Sequence, residues 1–235
     1  MKDWKKLASK KTIERTLKAL NANGIEASLA ANATEARQKV LAMLPARAEV
    51  FALTSVSLDS VGLAKEINES GRYVSVRNAL YSMNQQTQAR EMRKLGAAPD
   101  FAVGSAHAVT ETGTVVVASL TGSQLPSYTY AAGTLIWVVG AQKIVIDVDE
   151  GLRRINEYIV GLESERARKA YNLPAEFKTF PSKVLLFNRE ISPGRVKLVL
   201  VNEALGQLLR AHLQGLEATS ENPSQAFRSL MALQS

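Results

Sequence analysis

The sequence predicts an α/β protein with a Rossmann-like, mostly parallel sheet flanked by helices. Short apolar runs alternate with amphipathic stretches along the first hundred residues, which is the pattern of successive βαβ units. The composition agrees, because 235 residues with 46% hydrophobic and 22% charged side chains exclude collagen, coiled coil and wholesale disorder. A chain of this length is expected to form one principal domain with a sizeable core.

The first elements make up one βαβ unit. Residues 1–24 are predicted to form a basic N-terminal helix packed on the domain, with Ile13, Leu17 and Leu20 as its buried stripe. The helix should end near Gly24, since glycine adopts the left-handed cap conformation readily. A short strand at 25–29, a helix at 34–44 and an apolar strand at 49–53 follow.

The alternation continues through the middle of the chain. A helix at 58–70, a strand at 73–76 and a polar helix at 84–95 are predicted in turn. Strands at 101–104 and 114–118 are joined by an oxygen-rich connector. A second polar turn, 119–124, precedes a short helix that starts at Pro126 and the very hydrophobic strand 135–140.

The last third contains one long helix and two β-rich runs. Asp149 is predicted to cap a helix that extends to Tyr171. The runs 184–187 and 196–201 flank a Pro-Gly turn signal, so we expect them to pair as an antiparallel edge. Residues 25–206 would then form the α/β domain, and residues 207–235 a helical fragment with a loosely held tail.

Composition excludes several function classes. The chain has no cysteine, so it has no disulfide, no cysteine-ligated iron-sulfur cluster and no thiolate nucleophile. Two histidines are too few for a typical histidine-rich metal site, and we expect no cofactor or metal of its own. We also expect a cytoplasmic protein without a membrane span, because the sequence has neither a secretory signal nor a spanning apolar run.

The positive charge is concentrated at the N-terminus. The formal net charge is +7, and the first 18 residues contain seven basic and two acidic side chains. Such an arm could contact phosphates or an acidic lipid surface, but a solvated face of an amphipathic helix explains it more simply. No basic and aromatic residues interleave as in RNA-binding surfaces, so no nucleic-acid partner is expected.

Three polar loops follow predicted strands, where ligands of open α/β sheets gather. Glycines let the backbone approach a ligand, and hydroxyls donate to carboxylate or phosphate oxygens. We therefore predict a small anionic metabolite in a pocket shared by these loops, although ordinary turns explain the same residues equally well. Neither a P-loop nor a dinucleotide fingerprint is present. The candidate ligand-binding residues are Gly104, Ser105, Thr110, Thr112, Gly113, Ser119, Thr121, Gly122, Ser123, Gln124, Gly140 and Lys143.

Glu111 is the candidate catalytic residue. A carboxylate between two threonines and before a glycine could act as a general base or a nucleophile, and the alternative is a turn residue that binds nearby backbone N–H groups. Lys143 could pair with a substrate anion or with Asp147. His107 could relay protons, but a hydrogen-bonded loop histidine is the simpler interpretation.

Five ordered segments, at 83–93, 104–113, 137–145, 162–168 and 188–195, resemble the LUD (lactate utilization) domain family and its lactate-utilization protein C group. The resemblance spans residues 10 to 206. It implies a fold similar to sugar-phosphate isomerases and CoA-transferases, and a part in oxidising L-lactate to pyruvate. It also implies that iron-sulfur proteins are separate partner subunits.

Three functions remain open from the sequence. The first is a non-redox component of lactate oxidation that binds a small carboxylate or assembles with the iron-sulfur partners. The second is a stand-alone enzyme on a sugar phosphate or CoA ester, with Glu111 as base or nucleophile. The third is a protein-interaction module whose basic N-terminal helix docks an acidic partner.

Overall fold

The computed structural model describes residues 2–206, so the helical fragment and tail predicted at 207–235 lie outside the described residues. Within residues 2–206, no helix is long and apolar enough to cross a membrane. The strands are β1 (Glu26–Ala30), β2 (Glu49–Ala52), β3 (Val74–Ser75), β4 (Phe101–Gly104), β5 (Ala108–Thr110), β6 (Val115–Ser119), β7 (Thr134–Gly140), β8 (Ile144–Val145), β9 (Lys183–Phe187) and β10 (Val196–Val201). The α-helices are α1 (Lys10–Ala22), α2 (Ala33–Met43), α3 (Val56–Ser60), α4 (Leu63–Glu69), α5 (Val76–Ser82), α6 (Gln85–Ala97), α7 (Val148–Arg154) and α8 (Val160–Tyr171).

The central sheet has six strands in the order β1-β10-β7-β4-β2-β3, and every pairing is parallel. One of its two middle strands, β7, is buried on both faces. Trp137 and its alternate neighbours face one apolar cluster together with Ile13 and Leu20 of α1, whereas Ile136 and Val138 face a second cluster built from α2, α3 and α4. Helices therefore flank both sides, and the predicted fold class is confirmed.

A second sheet, in the order β8-β5-β6-β9, packs against one face of the central sheet. Strands β5 and β6 form an antiparallel hairpin, β9 adds antiparallel to β6, and β8 adds parallel to β5. The sequence did not predict this separate sheet, because the runs at 101–104 and 114–118 look alike as apolar segments.

The predicted antiparallel edge of 184–187 and 196–201 is wrong. Strand β10 lies inside the central sheet, parallel to both β1 and β7. Apart from Lys197 it is apolar on both faces, as a central strand requires, whereas β9 exposes Val184 and Leu186 and suits the edge of the second sheet. The Pro-Gly turn is present, with Gly194 at φ +77°, but it connects two sheets rather than two paired strands.

Several helix boundaries also differ. Helix α1 begins at Lys10, after Ser9 accepts a hydrogen bond from the backbone N–H of Thr12. The stretch 58–70 is two helices, separated at Gly62, whose φ of +71° breaks the first. Asp147 rather than Asp149 caps α7, and the helical path then continues through one wide turn and α8 to Tyr171 as expected.

Candidate functional site

Strands β2, β4 and β7 are parallel neighbours, so their carboxyl ends face the same edge of the central sheet. In the sheet register Ala52 is level with Val103, and Val103 is level with Ile136. Ser57 in α3 follows β2, Ser105 follows β4 directly, and Lys143 ends a short turn after β7. We call Ser57, Ser105, Ala106 and Lys143 the edge site. It occupies the position where parallel sheets generally bind ligands.

Lys143 is the centre of the edge site and is only 7% exposed. Its Nζ donates to Ser57 Oγ at 2.9 Å, to Ser105 Oγ at 3.0 Å and to the carbonyl oxygen of Ala106 at 2.9 Å. All three acceptors are neutral, and no ion pair among residues 2–206 includes Lys143. Burial, together with the positive charge of Arg154, lowers the pKa of Lys143 to about 7.

The neighbouring segment is held by a second buried cation. Arg154 of α7 is 1% exposed, and its Nη1 donates to the carbonyl oxygen of His107 at 2.7 Å. Lys143 and Arg154 thus bind the consecutive carbonyls of Ala106 and His107. Burial lowers the pKa of Arg154 to about 10, so the guanidinium stays charged at neutral pH.

His107 is neutral beside these cations. Burial, followed by the charges of Lys143 and Arg154, lowers its pKa to about 3. Its Nδ1 accepts the backbone N–H of Ala118 at 3.1 Å, so the proton of the neutral ring lies on Nε2. The interpretation of His107 as a hydrogen-bonded loop histidine agrees with this geometry.

Sequence reasoning missed Arg77 and Arg154. Arg77 lies on α5, half-buried, and donates from Nε to the carbonyl oxygen of Ala52 at 2.9 Å and from Nη1 to Thr54 Oγ1 at 3.1 Å. It forms no ion pair with any residue in the described range. The sequence predicted a strand at 73–76 and no helix between that strand and residue 84, so nothing indicated that Arg77 lies on a helix. Arg154 gave no local signal, since its burial depends on distant elements.

Two of the predicted glycines are close-packed by the protein itself. A Cβ on Gly104 would lie 1.9 Å from Tyr128 Oη, and one on Gly140 would lie 2.2 Å from Gln142 Oε1 and 2.7 Å from the carbonyl oxygen of Glu203. Both glycines border the edge site at the ends of β4 and β7. Their lack of a side chain allows these internal contacts.

The Thr110–Gly113 turn lies away from the edge site, against the end of α1. Thr110 Oγ1 is 2.9 Å from Thr112 Oγ1 and accepts the backbone N–H of Thr114 at 2.9 Å. Glu111 forms an ion pair with Arg15 of α1. Gly113 adopts φ +88°, and a Cβ there would be 2.7 Å from the side-chain nitrogen of Asn23. The turn's polar groups are therefore largely satisfied internally.

The third polar loop lies at the other end of β6. Ser119 Oγ donates to Gln124 Oε1 at 2.9 Å and accepts the backbone N–H of Gly122 at 2.8 Å, and Thr121 Oγ1 donates to Ser123 Oγ at 3.1 Å. The five residues of β6 hold this loop roughly 15 Å from the Glu111 turn. The expected shared pocket of all three loops is therefore not formed, because the Glu111 turn lies at one end of β6 and the 119–124 loop lies at the other end.

Four predicted residues do come together, namely Gly104, Ser105, Gly140 and Lys143. The expected pairing of Lys143 with Asp147 is wrong, because the Asp147 side chain accepts the backbone N–H of Glu150 at 2.8 Å as a helix cap. The lysine instead extends toward α3 and β4.

A separate cleft of about 260 Å³ lies beside Glu111. It is lined by the N-terminal segment, including Trp4, and by Gln142 and residues 144–146. Its charges are mixed, and Lys2 pairs with Glu150 across one side. In residues 2–206 no three histidine, aspartate or glutamate side chains are placed to hold a metal ion.

Comparison with known proteins identifies the family of the chain and a solved structure with a similar fold. The family model described as the LUD domain matches residues 13–201. A crystal structure of a DUF162 family protein from Deinococcus radiodurans superimposes with a TM-score of 0.52 at 12% sequence identity, covering 84% of this chain and all of the other. At that identity the likeness shows the fold alone. No curated protein has a significant match to the chain.

Proposed function

The chain belongs to the LUD domain family, which is associated with lactate utilization in general, and we propose that it binds a small carboxylate, lactate or pyruvate, at the edge site. In this proposal the chain is a non-redox component of L-lactate oxidation. The electron pair that leaves lactate passes to separate iron-sulfur subunits, because this chain has no cysteine to hold a cluster.

The observation that carries the proposal is the buried ammonium of Lys143, which within residues 2–206 is hydrogen-bonded only to neutral oxygens. A buried charge without a counter-charge is costly, and an anion beside it recovers part of that cost. Arg154 adds a second buried positive charge. A compact carboxylate is the ligand that this charge distribution favours.

Ser57 supports the choice of a hydroxy acid or oxo acid. Its Oγ accepts from Lys143 and makes no other hydrogen bond within the described part of the chain, so its proton is free to bind a ligand oxygen. Arg77 of α5 donates to the carbonyl oxygen of Ala52 at the end of the neighbouring β2, and its guanidinium forms no ion pair within residues 2–206. These donors suit a carboxylate with an adjacent oxygen.

Thermal unfolding tests this proposal. Lactate or pyruvate at about 100 times its dissociation constant should stabilise the wild-type chain by roughly 2.7 kcal/mol. Lys143→Met should lose that stabilisation, whereas Lys178→Met, a matched change at an exposed loop lysine, should retain it.

Other outcomes favour the competing functions. Selective stabilisation by a sugar phosphate or a CoA ester, abolished in Glu111→Gln, would favour the stand-alone enzyme. If none of these ligands stabilises the chain, carboxylate binding is contradicted and the interaction module is favoured. Equal stabilisation of Lys143→Met and wild type by lactate would also contradict binding at the edge site.

A further inference from the structure

We propose that β9, an outer strand of the second sheet, is a docking edge for an acidic, extended segment of another protein, which pairs with it as an added strand. Strand β9 pairs with β6 along its whole length and, within residues 2–206, with no strand on its other side. We call Lys183–Phe187 the β9 edge. None of its residues belongs to the edge site, so this inference does not rest on the proposed function.

The main chain of the β9 edge has unpaired hydrogen-bonding groups. An outer strand directs alternate N–H and C=O groups away from its only neighbour. In the described part of the chain, no hydrogen bond joins the main chain of the β9 edge to any element except β6. Such a row of free donors and acceptors binds an extended peptide through main-chain hydrogen bonds.

The other outer strand of five residues, β1, is closed by side chains of the same chain. Asn21 binds both the N–H and the carbonyl oxygen of Ala27, each at 3.1 Å, and Lys39 donates to the carbonyl oxygen of Leu29 at 2.7 Å. The outer strands β3 and β8 have two residues each. Among residues 2–206, β9 is therefore the long outer strand whose edge is left open.

Side chains of the β9 edge form an exposed apolar surface. Val184 and Leu186 are two residues apart, so they lie on the same face of the sheet, and they are 41% and 42% exposed. Phe187, on the opposite face, is buried against Trp137. An added strand with apolar side chains at alternate positions would cover Val184 and Leu186, so burial would strengthen the main-chain pairing.

Basic residues flank this apolar surface and determine which segment fits it. Lys178, Lys183 and Arg189 are exposed, and none of them forms an ion pair with a residue of the range 2–206. The sequence has no acidic residue from 177 to 189. A segment with carboxylates at its ends therefore complements the charge of the β9 edge, whereas a basic segment would be repelled.

A second copy of the chain fits the β9 edge less well. In antiparallel self-pairing centred on Leu185, Lys183 of one copy would lie opposite Phe187 of the other, next to Arg189 on the same face. Like charges would then meet at both ends of the paired strands, which is destabilising. An acidic partner replaces this repulsion with attraction.

Hydrogen–deuterium exchange with a defined probe tests the inference. The probe is a synthetic peptide in which valine and threonine alternate over five positions between two glutamates at each end. The full-length chain is measured with and without it. We expect the peptide to slow exchange of the β9 amides and to leave those of β1 unchanged. The same peptide with lysines in place of the glutamates should bind at least about tenfold more weakly.

Protein variants locate the binding surface. Leu186→Glu should weaken binding of the glutamate peptide by about tenfold or more, because it removes apolar area and adds a repelling charge. Val74→Glu, the matched change at an exposed valine of the outer strand β3, should bind as the wild type does. Lys183→Glu combined with Arg189→Glu should reverse the preference and favour the lysine peptide. Circular dichroism checks that each variant is folded.

Three results would overturn the inference. The first is no protection of β9 by the glutamate peptide at millimolar concentration. The second is equal protection by both peptides, or protection that Leu186→Glu leaves unchanged. The third is a dimer in analytical ultracentrifugation that Leu186→Glu dissociates, since a second copy would then occupy the β9 edge.

Discussion

Within the part of the chain that the structure describes, Lys143 is held in place by hydrogen bonds rather than by an opposite charge. Three neutral oxygens surround its Nζ, and burial is the main reason that its pKa falls to about 7 from an ordinary value of 10.5. A lysine in this state costs the folded protein stability whenever it is protonated. Its titration is therefore measurable as a pH dependence of unfolding.

The sign of that dependence follows from the two pKa values. Between about pH 7 and pH 10 the unfolded chain binds more protons at Lys143 than the native chain, so stability rises with pH. The wild type should gain unfolding free energy over this window relative to Lys143→Met, which lacks the titrating group. Urea denaturation at a series of pH values measures the difference, and a difference independent of pH would mean that native Lys143 titrates normally.

An ion pair within the protein explains the presence of a carboxylate at Glu111 without a catalytic role. It pairs with Arg15, whose side chain is 59% exposed, so the pair should contribute at most about 1 kcal/mol. We expect Glu111→Gln and Arg15→Gln to lose similar, small amounts of unfolding free energy, and ligand stabilisation to survive in both. A Glu111→Gln variant that folds normally but is no longer stabilised by lactate or pyruvate would make the hairpin turn part of the site.

At the scale of elements, the end of β4 is shaped by Tyr128. This residue is buried, lies on the short helical turn Ser127–Ala131, and places its hydroxyl over Gly104. A side chain at 104 would therefore push the tyrosine out of its packing or move the strand end. The position of Ser105, and with it one partner of Lys143, depends on this contact.

A double-mutant cycle tests that dependence. Gly104→Ala should destabilise the chain by about 1 to 3 kcal/mol through overpacking. Tyr128→Phe removes the atom that lies 1.9 Å from the new Cβ, although the ring carbon at 2.8 Å stays, so it should rescue part of the loss. The double variant, followed by urea denaturation, should lose less than the sum of the two single changes. Strict additivity would show that Tyr128 is not what excludes a side chain there.

Most elements of the central sheet could be predicted, because runs such as residues 135–140 are long, apolar and bounded by turn signals. The order of the strands could not be predicted, because β10 pairs with β1 and β7, which are far from it in the sequence. The Glu111 and Ser123 loops looked adjacent for a similar reason, as nothing local indicates that their strands form a second sheet. Lys143 was found from its position after a strand. That no acidic side chain of residues 2–206 pairs with Lys143 could not be predicted, because it depends on which residues the fold places around the ammonium.

At the scale of the whole molecule, Trp137 joins the two sheets. It is fully buried on β7, and its ring contacts Tyr128 at 5.5 Å and Phe187 of β9 at 5.2 Å between centroids, both edge-on. Residues of both sheets share this apolar cluster. We therefore expect the second sheet to unfold together with the central sheet rather than as an independent unit.

Fluorescence can follow this interface selectively. The chain has two tryptophans, so Trp4→Phe leaves Trp137 as the sole tryptophan reporter. In that background the denaturation curves from tryptophan fluorescence and far-UV circular dichroism should coincide, as two-state unfolding requires. Phe187→Ala should shift both curves equally, with a loss of about 3 to 5 kcal/mol, because it leaves a cavity beside the indole.

Phe180→Ala is the matched control. Phe180 is 47% exposed, so its removal should change the unfolding free energy by roughly 0.5 kcal/mol or less. If Phe187→Ala instead moves the fluorescence transition to lower urea while the circular dichroism transition stays in place, the second sheet separates before the central sheet. The central sheet, which contains the edge site, would then be stable without the hairpin. The hydrogen bond from Arg154 to the carbonyl oxygen of His107 would not be required to keep the edge site folded.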